Sequence, residues 1–229
     1  MPLPFTAEQF LAVFVQYNEA IWPAQIFAYG LGLIAIILAL RQSHNSGQVI
    51  SIILVAFWAW NGAAYHLTFF REINGAAILF GGLFLAQAAL WLYVGSVQRQ
   101  LSFRVGRDVA SAAGGLLILY AMVAYPLLGA LLGHGYPQAP VFGVAPCPTT
   151  IFTFGLLLWT VPPTPKRVLV IPLIWSVIGF QAAVSLGILE DIGLLLAGVI
   201  STSILLWRDS QVRPHLAKRG GVLLSDGAG

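Results

Sequence analysis

The sequence predicts an all-α integral membrane protein, a bundle of seven transmembrane helices with its N-terminus outside and its C-terminus in the cytoplasm. Three observations carry this. Hydrophobic residues occupy 59% of the 229 positions and charged residues 8%, where soluble domains carry about 25% charged residues. Several apolar stretches approach or exceed the ~20 residues that cross a bilayer core, and mean hydropathy is +0.86. The charges fall in the connections and the tail, with the basic ones collected on one side.

The chain opens with a short amphipathic helix over Thr6 to Tyr17, in which Thr6 and Gln9 have capping-box spacing. Such a helix suits the membrane interface. The first span is expected over Ala20–Leu40. Asn18, Trp22, Gln25 and Tyr29 form one helical stripe along it, which should turn from lipid toward the bundle. The second span, Gln48–Phe70, carries a stripe of Trp58, Asn61, Tyr65 and Thr68, with His66 beside it. The third, Gly75–Val97, sets Gln87 and Trp91 one turn apart.

The fourth span, Val109–Leu132, contains Gly114 and Gly115, small residues that permit close helix approach, and Pro126, which should kink it. A charge-free loop from His134 to Thr150 follows. The fifth span, Thr149–Val161, is short for a full crossing unless Val141–Ala145 dips inward ahead of it. Thr149, Thr150 and Thr153 are placed to cap its first amides. The sixth and seventh spans are expected over Val168–Leu186 and Ile192–Trp207. The organisation is thus one membrane domain over 1–207 and a polar cytoplasmic tail over 208–229, disordered at its Gly-rich end.

Orientation follows from the positive-inside bias. With the N-terminus outside, Arg41, Arg99, Arg104, Arg107, Lys166 and Arg167 lie inside, and so do Arg208, Arg213, Lys218 and Arg219. That is 10 of the 11 basic residues, with Arg71 alone outside. The net charge of +3 is therefore a topology signal, and no nucleic-acid partner is implied. The single Cys excludes an intramolecular disulfide. The start, MPLPFTAEQF, lacks a basic n-region, so no cleavable signal peptide is expected. The expected location is a bacterial inner membrane.

The topology gathers polar residues at the outer end of the bundle. Glu19, Asn61 and His66 come from the first two spans, His134, Tyr136 and Cys147 from the long loop, and Glu190 and Asp191 from the last outer turn. With Gln25, Trp58, Tyr65 and Gln87 they form the candidate binding residues. Imidazole, thiolate and carboxylate are transition-metal ligands, which makes His66, His134 and Cys147 the metal candidates. Packing alone accounts for them equally well, since no pair has ligand spacing. Lys166 and Lys218 are both cytoplasmic, so no retinal Schiff base is expected. The last span contains no His, so the HxxxH pair of ceramidase-type hydrolases is missing.

Three stretches, FTAEQFLAVFVQYNEAIWPAQ, NGAAYH and HGYPQAPVFGVAPCPTTIFTFGLLLW, together resemble a family of bacterial multi-spanning membrane proteins of unknown function. The resemblance implies membrane location and no mechanism. Three functional readings follow. The first is small-solute or ion binding or transport through an outward-facing polar pocket lined by the polar stripes. The second is a membrane-embedded metal or thiol enzyme, which requires His66, His134 and Cys147 to converge. The third is a structural or sensor protein whose interior simply packs. No motif specifies a substrate or an oligomeric state.

Overall fold

The computed structural model describes residues 3–225, with side chains through 212. It is all-α, with eight helices among the described residues. They are α1 (Ala7–Ala20), α2 (Ala24–Arg41), α3 (Ser46–Glu72), α4 (Ala77–Val97), α5 (Val109–Leu131), α6 (Pro146–Leu158), α7 (Arg167–Leu186) and α8 (Ile192–Ser225). Six of them, α2 to α5, α7 and α8, are long and apolar enough to cross a membrane. The fifth expected span is the 13-residue α6, which is shorter than these six.

Thr6 caps α1 through the Gln9 amide and the Gln9 side chain returns to the Thr6 amide, the reciprocal pair that spacing predicts. The helix does not continue into α2. It stops at Ile21, and Pro23, which has no amide hydrogen, stands at the start of the next helix. This break takes Trp22 out of the expected inward stripe and leaves it 59% exposed. The buried face of α1, Phe10, Phe14 and Tyr17, packs on the far end of α3, with Phe14 stacked on Tyr65 at 5.0 Å.

In α2 the buried positions are Gln25, Ala28, Gly32, Ala35 and Ala39, while Ile26, Phe27, Leu33 and Ile37 face outward. Small residues inside and large apolar ones outside is the pattern of helices that pack closely and meet lipid rather than water. The same outward display of Leu, Ile and Val recurs on the other long helices.

Contacts define the two ends of the bundle. At one end Tyr17 meets Val144, and His134 meets Glu190. At the other, the Arg104 amide donates to the Trp159 carbonyl, the Val161 amide to the Ser102 carbonyl, and Arg167 to Gln98 and Gln100. Helix α6 therefore runs from the first end toward the second, through the middle of the fold, against α3, α5, α7 and α8. Every residue of it except Cys147 is buried.

A helix start so deep should strand free amides. Here two of the first positions are Pro146 and Pro148, which have none, and the Thr149 amide reaches the Ala145 carbonyl at 3.3 Å. The expectation that Thr149, Thr150 and Thr153 cap α6 is corrected accordingly. Ala145 is the N-cap, and Thr150 and Thr153 donate back to the carbonyls four residues earlier, each at 2.8 Å. At the far end of α6, Arg208 donates to the Leu158 carbonyl at 3.2 Å and to Thr164 at 2.8 Å, a cation placed on a helix C-terminus. Asp209 takes the Thr164 amide at 2.7 Å. Helix α8 continues past position 208 to Ser225. The last four residues of the Gly-rich end, 226–229, lie outside the described residues.

Prolines inside α5 and α7 cost a backbone bond each, and neighbouring side chains replace it. Pro172 cannot serve the Val168 carbonyl, which the Gln87 amide reaches at 3.1 Å. Pro126 cannot serve the Met122 carbonyl, which the Tyr29 hydroxyl reaches at 3.0 Å. Replacing Gln87 with Leu is therefore expected to lower stability by about 1–3 kcal/mol, the cost of an unpaired buried carbonyl. Tyr29→Phe, at a part-buried site, should cost less. Equilibrium unfolding of both variants in detergent gives the check, and a Gln87→Leu protein as stable as the parent would contradict the assignment.

Candidate functional site

Four hydrogen bonds from three side chains hold the loop that leads into α6. The Asn18 amide nitrogen donates to the Pro137 and Ala139 carbonyls at 2.7 and 2.9 Å, Tyr17 to Val144 at 2.7 Å, and Asn61 to Gly143 at 3.1 Å. Trp60 adds a bond from its indole to the Tyr17 hydroxyl at 2.8 Å. Burial raises the Tyr17 phenol above its ordinary pKa, which keeps it a donor. Phe142 at the tip of this loop enters the core between Tyr29, Phe57 and Phe152. Irregular backbone at this depth needs such partners, and polar side chains from α1 and α3 supply them.

Several expected binding residues are thereby committed to structure. Asn61 and Gln87 serve carbonyls, Gln25 donates to the Asn18 carbonyl at 2.8 Å, and the Trp58 indole to Thr153 at 3.1 Å. Glu19 and Tyr136 are exposed and stand apart. Thr68, expected in the α3 stripe, is exposed as well. The reason is local: residues Asn61–Phe69 form a π-helical segment, whose wider turn shifts the register and brings His66 inward.

The remaining candidates meet at the end of the bundle where the loop enters. Gly187 at φ 73° ends α7, and the short 3₁₀ turn Leu189–Asp191 carries Glu190 and Asp191, only 1% and 3% exposed. His134 Nε2 lies 2.6 Å from Glu190 Oε1. The Tyr125 hydroxyl donates to Asp191 Oδ1 at 2.5 Å, and the Tyr120 hydroxyl to the Glu190 carbonyl at 2.6 Å. Glu190 Oε2 has no hydrogen-bond partner. Gly193 permits this packing, since a Cβ there would fall 2.5 Å from the Tyr120 ring.

Tyr120 and Tyr125 belong to this candidate site and are not among the residues expected from the sequence. Five residues apart, they share no face of a regular α-helix. Residues Tyr120–Ala124 form a π-helical turn just before Pro126, which aligns them. Pro126 was the available signal.

Beside the carboxylates, the Cys147 thiol lies against Asp191 and the Trp175 indole. Cys147, Tyr65, His66 and Trp175 line a small cavity of about 30 Å³. His66 is fully buried among Phe84 at 4.8 Å, Trp175 at 5.1 Å and Tyr65 at 5.1 Å, with neither ring nitrogen hydrogen-bonded. His134, the third metal candidate, is engaged by Glu190. Among the described residues no three His, Cys, Asp or Glu side chains are arranged to hold a metal ion.

The site can thus present two buried carboxyl groups, one imidazole partner and two phenols, with an unpartnered histidine in an adjoining aromatic chamber. No curated protein and no solved structure matches the chain. The model of the family of unknown function (DUF6064) matches residues 7–216, and the chain belongs to that family.

Proposed function

We propose that this chain is a bacterial inner-membrane protein crossing the bilayer seven times, N-terminus outside, that binds a proton or small cation at Glu190 and Asp191 as part of solute or ion handling. Six crossings are the long helices, and the seventh is the buried loop followed by α6. The observation that carries the functional reading is the pair of adjacent, almost unexposed acids facing one imidazole. Ionisable groups buried in a membrane bundle mark ion or proton sites by default, because leaving them there without a use is costly. With two carboxyl groups against one histidine, Glu190 Oε2 is an acceptor in search of a cation. The orientation is supported by the basic residues Arg41, Arg99, Arg104, Arg107, Lys166, Arg167 and Arg208, which stand at the opposite end from this site.

Purified protein in proteoliposomes, loaded with a pH-sensitive dye and challenged with sodium, potassium and proton gradients, tests this. Saturable exchange is expected from the parent and its loss from Glu190→Gln. An inactive parent, or a Glu190→Gln protein that exchanges normally, would overturn it.

A thiol enzyme is the second reading, favoured by Cys147 and His66 sharing one cavity wall. It requires Cys147→Ser to abolish turnover while leaving cation exchange intact.

A further inference from the structure

A large cavity lies at the end away from the carboxylates. It is a cleft of about 780 Å³ between the start of α5, the end of α6 and the last apolar turns of α8. Its walls are apolar, from Leu158, Val161 and Ile204, and Val109 and Trp207 stand at its opening, 75% and 66% exposed. Arg104 and Arg208 line it too.

The electrostatics of the rim are one-sided. Arg208 is fixed by the Leu158 carbonyl, the Thr160 and Thr164 hydroxyls and an ion pair to Asp209 at 3.4 Å, so its charge is already met. Arg104 is exposed, and its guanidinium makes no hydrogen bond or ion pair among the described residues. Arg107 stands three residues further along the same exposed loop. The one acid at the cleft, Asp108, is occupied as the N-cap of α5, accepting from the Ser111 amide at 2.8 Å and its hydroxyl at 3.3 Å. An apolar slot with exposed Val and Trp at its mouth and an uncommitted arginine on its rim fits an amphiphile whose head is anionic.

We infer that this cleft binds an anionic phospholipid, with the acyl chain between α5 and α8 and the phosphate at Arg104. Basic recesses between helices on the cytoplasmic side of membrane proteins recognise such headgroups. The size lies in the range of ligand-holding clefts. The inference rests on the membrane reading proposed above and is independent of the cation site, which lies at the other end.

The test is native mass spectrometry of the full chain released from nanodiscs of equal phosphatidylglycerol and phosphatidylcholine. The parent should retain phosphatidylglycerol in preference. Arg104→Gln should reduce that retention about fivefold, the effect of one basic charge beside an anionic lipid, and Arg104→Glu should reduce it further. Val109→Trp, which narrows the mouth without touching a charge, should lower retention of both lipids. Cation exchange should survive the Arg104 variants. Equal retention of the two lipids by the parent, indifference to Arg104, or displacement of phosphatidylglycerol by millimolar inorganic phosphate would each overturn the inference. Failure of the chain to enter nanodiscs of either lipid would remove the membrane reading itself, a distinguishable outcome.

Discussion

A His134→Ala variant is expected to lose about 3–5 kcal/mol of stability, the penalty for stripping the partner from a buried charge. Glu190 is 1% exposed, and among the described residues its one side-chain partner is His134 Nε2 at 2.6 Å. Without the imidazole, one carboxylate oxygen joins the other in having no donor. A surface pair of the same length would contribute at most about 1 kcal/mol, so the magnitude itself reports burial. Adding Glu190→Gln to the His134→Ala background should recover much of the loss, because the charge then goes with its partner. Unfolding in detergent, followed by circular dichroism, measures all three proteins. A single variant near the parent, or a double variant no better than the single, would show that Glu190 does not depend on His134 as its buried partner.

Gly114→Val is expected to be severely damaging, displacing α6 or preventing a folded protein. A Cβ at Gly114 would sit 2.7 Å from the Gly155 carbonyl oxygen and 2.7 Å from the Trp159 indole nitrogen. A Cβ at Gly155 would meet the Gly114 carbonyl at 2.8 Å. The two carbonyl contacts are main chain against main chain, so turning the Trp159 or Ile118 side chain cannot relieve them. Overpacking costs of about 1–3 kcal/mol apply where side chains can yield, and here they cannot. Gly115, one residue on, is the control. Its nearest neighbour would be a Trp159 ring carbon at 3.8 Å, so Gly115→Ala should be tolerated. Equal behaviour of the two variants, in expression and thermal unfolding, would contradict the α5–α6 contact.

The long helices were legible in the sequence because an apolar run of ~20 residues has few other uses. The expected spans Gly75–Val97 and Val168–Leu186 lie within a residue or two of α4 and α7. The shortness of the fifth was also legible, as was the inward dip of the loop before it. What could not be read was the partner of each polar residue. Asn61 and Gln87 look the same in sequence whether they line a water path or serve a carbonyl. Only the positions of Gly143 and Val168 decide between them. The π-helical turns in α3 and α5 were equally hidden, since inserting one residue per turn breaks the 3.6-residue rule by which stripes are read. That is why Thr68 was expected inward and is exposed, and why the Tyr120–Tyr125 pair escaped notice. The carboxylates at Glu190 and Asp191 were found because acids are rare in such a sequence, although their near-complete burial was not foreseen.

The entry of α6 has a consequence for how the protein is made. Thirteen apolar residues behind an irregular loop are too few to leave a translocon as an independent segment. The Pro137, Ala139, Gly143 and Val144 carbonyls of that loop are met by Asn18, Asn61 and Tyr17, all synthesised earlier, and the last turn of α6 waits for Arg208, made afterwards. Biogenesis is therefore ordered in time. A nascent chain released before α8 would expose the C-terminal end of α6 uncapped, and quality-control proteases should recognise that end first.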